Sequence, residues 1–556
     1  MQYSVPAAII AALRTAPNAT PFDKRTSMRR LILLLPSLLI ALAVNRVSAQ
    51  DARSVRAEPA RFTDTERLAK LSSGFGAIDS LFRAFATREH IPGAAWGIVV
   101  DDRLAHLGVA GYRDLDSRSP VDSNSVFRIA SMSKSFAAMS ILSLRDRGLL
   151  ALDDPAEKYV PELSGLVYPT TDSPRITIRH LLSHSTGFPE DNPWGDQQLA
   201  ITDSEMSLLM QQGIPFSNAP GVAYEYSNFG FAILGRIVAN VSGMPYADYV
   251  DASILRPLGM TSTTLSPASV APGRLAQGYR WEDEQWKLEP QLPDGAFGAM
   301  GGMLTSLSDL GSYVGALLGA FPPRDGEESG PVRRSSLREM QQIWRSRPAT
   351  AAATPDGELR LSSGGYGYGL GISGDCDYAH IVAHSGGLPG FGSLMRWLPE
   401  YGVGIIAFGN RTYSGWGGPV AQAFNILAET GGLQPRVPQP SSALVRQRDA
   451  VSRLVVNWTP ALADSVAAMN LFFDRSADRR SAEIAELLED VGSCEAGEGF
   501  DEVENALRGS WTLPCARGGL RVRITLSPTI PPLVQHLQVR KAPAAPVSAT
   551  PRYCSE

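Results

Sequence analysis

The placement of the strand-forming segments constrains the fold most. Two of them, "AAWGIVV" (94–100) and "LAHLGVA" (104–110), flank the turn Asp101-Asp102-Arg103. The next group returns only near residue 380, with "HIVAHSG" (380–386), "GSLMRWL" (392–398) and "VGIIAFG" (403–409). Runs of β-branched and aromatic residues bounded by Gly, Pro and Asp read as strands. The sheet is therefore assembled from both ends of this region, around an insertion. From about 150 to 300 the chain reads as helix and loop, broken repeatedly by Pro and Gly. The stretch "SFAAMSILSLRDRGLL" (135–150) is apolar nearly all round through Leu144, which suits a buried helix. A helix is expected near 75–89, where Ile78, Leu81, Phe82 and Phe85 recur at helical spacing, and "GGPVAQAFNILAE" (417–429) closes the region. The expectation is an α+β domain over 63–432: an antiparallel sheet flanked by helices, with a large, mostly helical subdomain.

The flanks read differently. Met28-Arg29-Arg30, the apolar run "LILLLPSLLIALAV" and the small residues Val47-Ser48-Ala49 form a signal-peptide pattern over 28–50, with cleavage expected near Ala49. Retention of that segment as a membrane anchor is the competing reading. No later stretch is apolar enough to span a bilayer, so no stable membrane insertion is expected after cleavage. Met28 is the expected natural start, which makes residues 1–27 an expected upstream extension, and 51–62 are expected to form a charged, Ala-rich flexible leader. The destination is the periplasm or the exterior, where disulfides persist. Four cysteines are present, and Cys494 and Cys515, which flank a short Gly-containing segment, form the expected bridge. A Pro-rich linker (433–443) precedes a small α+β unit (444–540) and a Pro/Ala-rich tail (541–556). In that unit Leu520, Val522, Ile524 and Leu526 alternate with polar residues, as in a sheet with one wet face. A net charge of −5 without a Lys/Arg cluster argues against nucleic acid as a partner.

Chemistry concentrates in three short motifs. In "IASMSKSF" (129–136), Ser131 and Lys134 are three apart and share one face of a helix. A serine hydroxyl needs a base to take its proton. At a helix N-terminus the dipole, with partial burial, lowers a lysine toward a useful base. Ser133 and Ser135 lie at the wrong offsets. The same spacing also fits an N-cap serine followed by an exposed lysine. Tyr226-Ser227-Asn228 sits on a loop entering an apolar helix, and His384-Ser385-Gly386 at the edge of a strand, where glycine permits close approach of a ligand. His180 and His184 are four apart, but no glutamate follows His180 as in a zinc-protease motif. No metal or cofactor is expected.

In this order, Ser131-x-x-Lys134, Tyr226-x-Asn228 and His384-x-Gly386 resemble the active-site signature of serine β-lactamases and penicillin-binding proteins. The flanking text "PGAAWGIVV", "ITIRHLLSHSTGFP", "YSNFGFAILGRI" and "HSGGLPGFGS" looks like the class C β-lactamase-like group. That group includes D-alanyl-D-alanine carboxypeptidases, D-aminopeptidases and family VIII esterases. The resemblance covers 63–432 and implies an acyl-enzyme on Ser131, with Lys134 and Tyr226 sharing acid–base work. It implies that Asn228, His384 and Gly386 bind substrate, and that the backbone N–H groups of Ser131 and Gly387 form the oxyanion hole. Many β-lactamases carry lysine at the position of His384. A histidine titrating near neutrality would be a weaker, pH-dependent anchor for a carboxylate. That shifts the expected substrate toward an ester or a peptide, such as a cell-wall peptide, and away from a β-lactam. A true class C-like β-lactamase, and a penicillin-recognising sensor that deacylates slowly, are the alternatives. Oligomeric state is not legible.

Overall fold

The computed structural model describes residues 56–353 and 359–543. The upstream extension, the signal segment with Ala49, the start of the leader, most of the tail and Cys554 lie outside the described residues. Among the described residues no helix is long and apolar enough to cross a membrane.

The strands of the first unit are β1 (Gly93–Val100), β2 (Arg103–Asp114), β3 (Ser119–Pro120), β4 (Val126–Arg128), β5 (Tyr279–Glu282), β6 (Gln285–Leu288), β7 (Leu304–Ser306), β8 (Arg345–Ala353), β9 (Leu359–Tyr366), β10 (Gly371–Asp375), β11 (Ile381–Leu388), β12 (Phe391–Leu398) and β13 (Val403–Gly409). Its longer helices are α1 (Phe75–Arg88), α2 (Ser133–Asp146), α3 (Asn228–Ser242), α4 (Leu307–Leu318) and α5 (Gly417–Glu429). Nine strands form one antiparallel sheet in the order β3-β2-β1-β13-β12-β11-β10-β9-β8. Its centre joins the two ends of the region: β1 pairs with β13 from Ala94↔Gly409 to Val100↔Val403.

The pleat divides the core in two. On β1, Ala95 and Val99 face a cluster built with α2, α3 and α4. Ala94, Trp96, Ile98 and Val100 face a second cluster with α1 and α5. The result is three layers, with a buried sheet between helices. The helical spacing of Ile78, Phe82 and Phe85 is explained by the second cluster, where Phe82 stacks on Trp96 and Trp416 at centroid distances of 5.4 and 5.7 Å. α2 is buried from Ser133 to Leu144, as its all-round apolar sequence requires.

Two parts of the sheet escape the sequence patterns. β8 to β10 include "RSRPATAAA" and "LRLSSGGY", which are largely exposed and lack apolar alternation. The hairpin β5–β6 interrupts the expected helical insertion. The first turn is tighter than its three polar residues suggest. β2 begins at Arg103, and Asp101 takes φ 59°, the left-handed conformation that two-residue hairpin turns demand.

The second compact unit holds residues 440–542. Helices α6 (Ser442–Val456), α7 (Pro460–Val466) and α8 (Ala477–Val491) pack on a sheet of β14 (Glu502–Asn505), β15 (Arg508–Cys515), β16 (Gly518–Leu526) and β17 (Val534–Lys541), in that order. Leu520, Val522, Ile524 and Leu526 are buried in its core. Cys494 and Cys515 are joined by a disulfide.

Phe82→Ala removes a buried ring that stacks on two tryptophans. It should destabilise the first unit by about 3–5 kcal/mol. Chemical denaturation followed by tryptophan fluorescence checks this, and a loss below about 1 kcal/mol would contradict the packing described.

Candidate active site

Ser131 lies in the single 3-10 turn Ala130–Met132 that leads into α2. The turn is strained: Ala130 holds φ 48°, a conformation that costs a side-chain-bearing residue about 1–2 kcal/mol. The neighbouring serines are committed elsewhere. Ser133 Oγ donates to the Ala130 carbonyl at 2.7 Å and receives the Met303 N–H, while Ser135 Oγ donates to the Met132 carbonyl at 2.8 Å. Both are buried, whereas Ser131 is half-buried and lines a cleft of about 610 Å³.

Lys134 is fully buried one helical turn behind it. Its Nζ donates to Ser131 Oγ at 3.0 Å, Asn228 Oδ1 at 2.6 Å and the Met300 carbonyl at 2.8 Å. Removal from water disfavours the ammonium and pulls the lysine down to about 7, although Asp191, Asp196 and Glu190 oppose the shift from a distance. Two of the three acceptors are carbonyl oxygens, which can only accept. In the neutral amine the two N–H bonds stay with those carbonyls, and the lone pair turns to Ser131. The Gly-rich segment 298–302 thus supplies the Met300 carbonyl to the lysine.

The Tyr226 side chain hydrogen-bonds Ser131, and its ring lies 4.8 Å from Lys134 Nζ. Burial pushes its phenol well above the ordinary tyrosine range, so it keeps its proton at neutral pH. The loop is fixed where it enters α3. The Asp191 carboxylate accepts the N–H groups of Asn228 and Phe229 at 2.7 and 2.8 Å, and Ser227 Oγ accepts from Gly230. These bonds satisfy the free N–H groups of the helix N-terminus. Asn228 differs from expectation. Its amide is fully buried, with Oδ1 on Lys134 and Nδ2 on Asn192 Oδ1 at 2.6 Å. Asn192 lines the cleft in its stead.

β11 forms the opposite wall, and here two expectations change. His384 does not titrate near neutrality. Burial, reinforced by Lys134, lowers it to about 3. Its Nδ1 lies 2.6 Å from the Ser385 carbonyl and so carries the proton, which leaves Nε2 to accept from the Tyr366 hydroxyl at 2.8 Å. The neutral ring borders the cleft without offering it a charge. Gly386 provides close approach, but to the protein itself. A Cβ there would lie 2.1 Å from the Ile129 carbonyl oxygen and 2.5 Å from Ser393 Oγ, which donates to that same oxygen. Gly386 thus sets the spacing between β11 and the turn that carries Ser131. Gly387 lines the cleft with Ser131.

Several cleft groups left no signal in the sequence. Tyr224, Asn192, Asp196 and Tyr413 all line it, and the Tyr413 hydroxyl donates to Asp196 Oδ2 at 2.8 Å. Burial raises the Asp196 carboxyl. Two of these, Asn192 and Asp196, lie in the aperiodic loop "PEDNPWGDQ" (189–197), where only the tertiary fold reveals which polar side chains turn inward.

The three-layer fold thus carries a cleft in which Ser131 and the buried Lys134 are joined by a hydrogen bond. The model of the beta-lactamase family matches residues 78–429, and the chain belongs to that family of serine hydrolases. Penicillin-binding protein 4* of Bacillus subtilis (strain 168) is 27% identical over 349 residues, covering 60% of this chain and 71% of that protein. Protein flp of Staphylococcus aureus (strain COL) is 28% identical over 340 residues, and the match spans 60% of this chain and 62% of that protein. Among solved structures, the octameric penicillin-binding protein homologue from Pyrococcus abyssi shares the fold with a TM-score of 0.54 at 21% identity, covering 82% of this chain and 96% of that one. A class C beta lactamase aligns with a TM-score of 0.51 at 20% identity, over 66% of this chain and all of that one.

Gly386→Ala should drive β11 away from Ile129, two residues before Ser131. The expected result is a fall in kcat of about 10²-fold with the fold retained. Steady-state kinetics alongside circular dichroism test it, and unchanged kcat would remove Gly386 from the site.

Proposed function

We propose that the chain is an exported serine hydrolase that forms an acyl-enzyme on Ser131 with ester, amide or β-lactam substrates. One observation carries the reading: a fully buried lysine, lowered to about 7, within 3.0 Å of a half-buried serine in a cleft. The neutral Lys134 amine takes the Ser131 proton as Oγ attacks the substrate carbonyl carbon. The carbonyl π pair moves onto oxygen, and the backbone N–H groups of Ser131 and Gly387 receive that oxyanion. The ammonium of Lys134 then returns the proton through the Tyr226 phenol to the leaving group, and the C–O or C–N bond breaks. Water reverses the sequence on the ester and frees Ser131.

The neutral His384 favours substrates that need no cation at that position, such as esters and peptides. The Bacillus relative is named for penicillin binding and one similar fold is a class C beta lactamase, which keeps β-lactams among the amides to be tried. The disulfide Cys494–Cys515 supports an oxidising destination such as the periplasm or the exterior. A penicillin sensor differs from a hydrolase only in deacylation: a burst of one equivalent without turnover would mark it.

Mass spectrometry after incubation with a fluorophosphonate should find the adduct on Ser131. Ser131→Ala should lower p-nitrophenyl ester hydrolysis at least about 10³-fold. An adduct on another residue, or full activity in the variant, would sink the proposal.

The pH dependence has a definite sign. Below its pKa Lys134 is an ammonium and cannot accept a proton, and above it the amine is free. kcat/KM should therefore climb about tenfold per pH unit toward a plateau above pH 7. His384, lowered to about 3, adds no limb in the range where an ordinary histidine titrates. A limb near the ordinary lysine value would contradict the assignment of Lys134.

A further inference from the structure

We infer that His184 is the positioning residue that holds Tyr226 in register with Ser131, an inference that rests on the acyl-enzyme reading above. His184 contacts the backbone on both sides of the tyrosine. Its carbonyl accepts the Glu225 N–H at 2.9 Å, and its ring Nδ1 accepts the Ser227 N–H at 3.1 Å. Between these two bonds its imidazole packs on the Tyr226 ring at a centroid distance of 4.3 Å. The three contacts fix the Tyr224–Glu225 peptide, the Tyr226–Ser227 peptide and the ring between them.

The surrounding loop is built to present that histidine. The short helix Ile178–Leu182 ends at Ser183, and His184 turns the chain with φ 52°. This conformation is costly for a residue with a Cβ and persists where the surroundings impose it. The following residues extend the clamp. The Ser185 carbonyl accepts from Gly221 at 2.8 Å, and the Gly187 carbonyl accepts from Ser217 at 2.9 Å. Loop 184–187 therefore holds the segment 217–227 along its length and ends at the catalytic tyrosine.

The chemistry of the ring indicates what it is for. An N–H group can only donate, so Nδ1 must present its lone pair to Ser227, and the proton resides on Nε2. That Nε2–H is buried without a hydrogen-bond partner, among the rings of Tyr224, Phe231 and Tyr366. A leucine would fill the same space with no unpaired polar group, and an unpaired buried donor is costly. What histidine offers and leucine lacks is the acceptor at Nδ1. Burial also holds the ring neutral, which preserves that acceptor.

Three variants separate positioning from packing. Asparagine places a carbonyl oxygen the same number of bonds from Cα as Nδ1, glutamine places it one bond farther, and leucine has none. On a p-nitrophenyl ester, His184→Leu and His184→Gln should lower kcat about 10- to 100-fold, with KM within about threefold. His184→Asn should restore kcat to within about threefold of wild type. Wild-type kcat in His184→Leu, or a His184→Asn variant no faster than His184→Leu, would overturn the inference. If the leucine variant fails to fold, equal kcat in the asparagine and glutamine variants would overturn it. Fluorophosphonate labelling of the wild type keeps the two readings apart. A label away from Ser131 defeats the acyl-enzyme reading, whereas a label on Ser131 with indifferent His184 variants defeats only the role of His184.

Discussion

One ammonium group held out of water sets the terms for everything around it. A lysine buried among apolar side chains would shed its proton or unfold the helix that carries it. Lys134 instead meets three oxygens, each from a different element: the turn before α2, the start of α3 and the Gly-rich segment at Met300. None is a carboxylate, and among the described residues no carboxylate lies within ion-pair distance. A direct carboxylate partner would have raised the pKa and fixed the charge. Neutral acceptors satisfy the donors while leaving the two protonation states close in energy near neutral pH. The same nitrogen joins three segments that are far apart in the chain.

The spacing of the site depends on glycine and on backbone contacts more than on charged pairs. Gly386 lets β11 approach the Ile129 carbonyl, and Gly387 clears the Tyr413 ring, which would lie 2.7 Å from a Cβ. On the other wall, Asp191 holds the first N–H groups of α3, and the loop at His184 holds the segment before it. Reactive groups are thus placed by elements whose own positions are fixed by packing and by satisfied N–H groups.

How much of this the sequence disclosed follows from the range of the interactions. Ser131 and Lys134 stand one helical turn apart, a local relation that spacing expresses directly. The centre of the sheet is legible because β1, β12 and β13 are apolar. β8 to β10 were not, because an exposed edge rich in Ser, Gly and Ala has no alternation to read. Asn228 and His384 stood out as residue types at the right intervals, yet their surroundings lay elsewhere in the chain. Asn192 turns one inward, and burial beside Lys134 makes the other neutral. Asp191, Asp196 and His184 carry no periodic pattern, because their partners are set by tertiary structure alone.

The pairing of β1 with β13 also has a consequence for the newborn chain. The sheet's central ladder joins segments about 300 residues apart, a strongly non-local contact. A ribosome adding about 5–20 residues per second would expose the β1–β2 hairpin for roughly 15–60 seconds before β13 existed. During that interval Trp96 and Ile98 would have α1 to cover them, but neither β13 nor α5. The helical insertion is complete long before then. Synthesis therefore delivers the tyrosine and lysine of the cleft first and the strand carrying His384 and Gly387 later, so the pocket is closed by one of the last segments of the first unit to emerge.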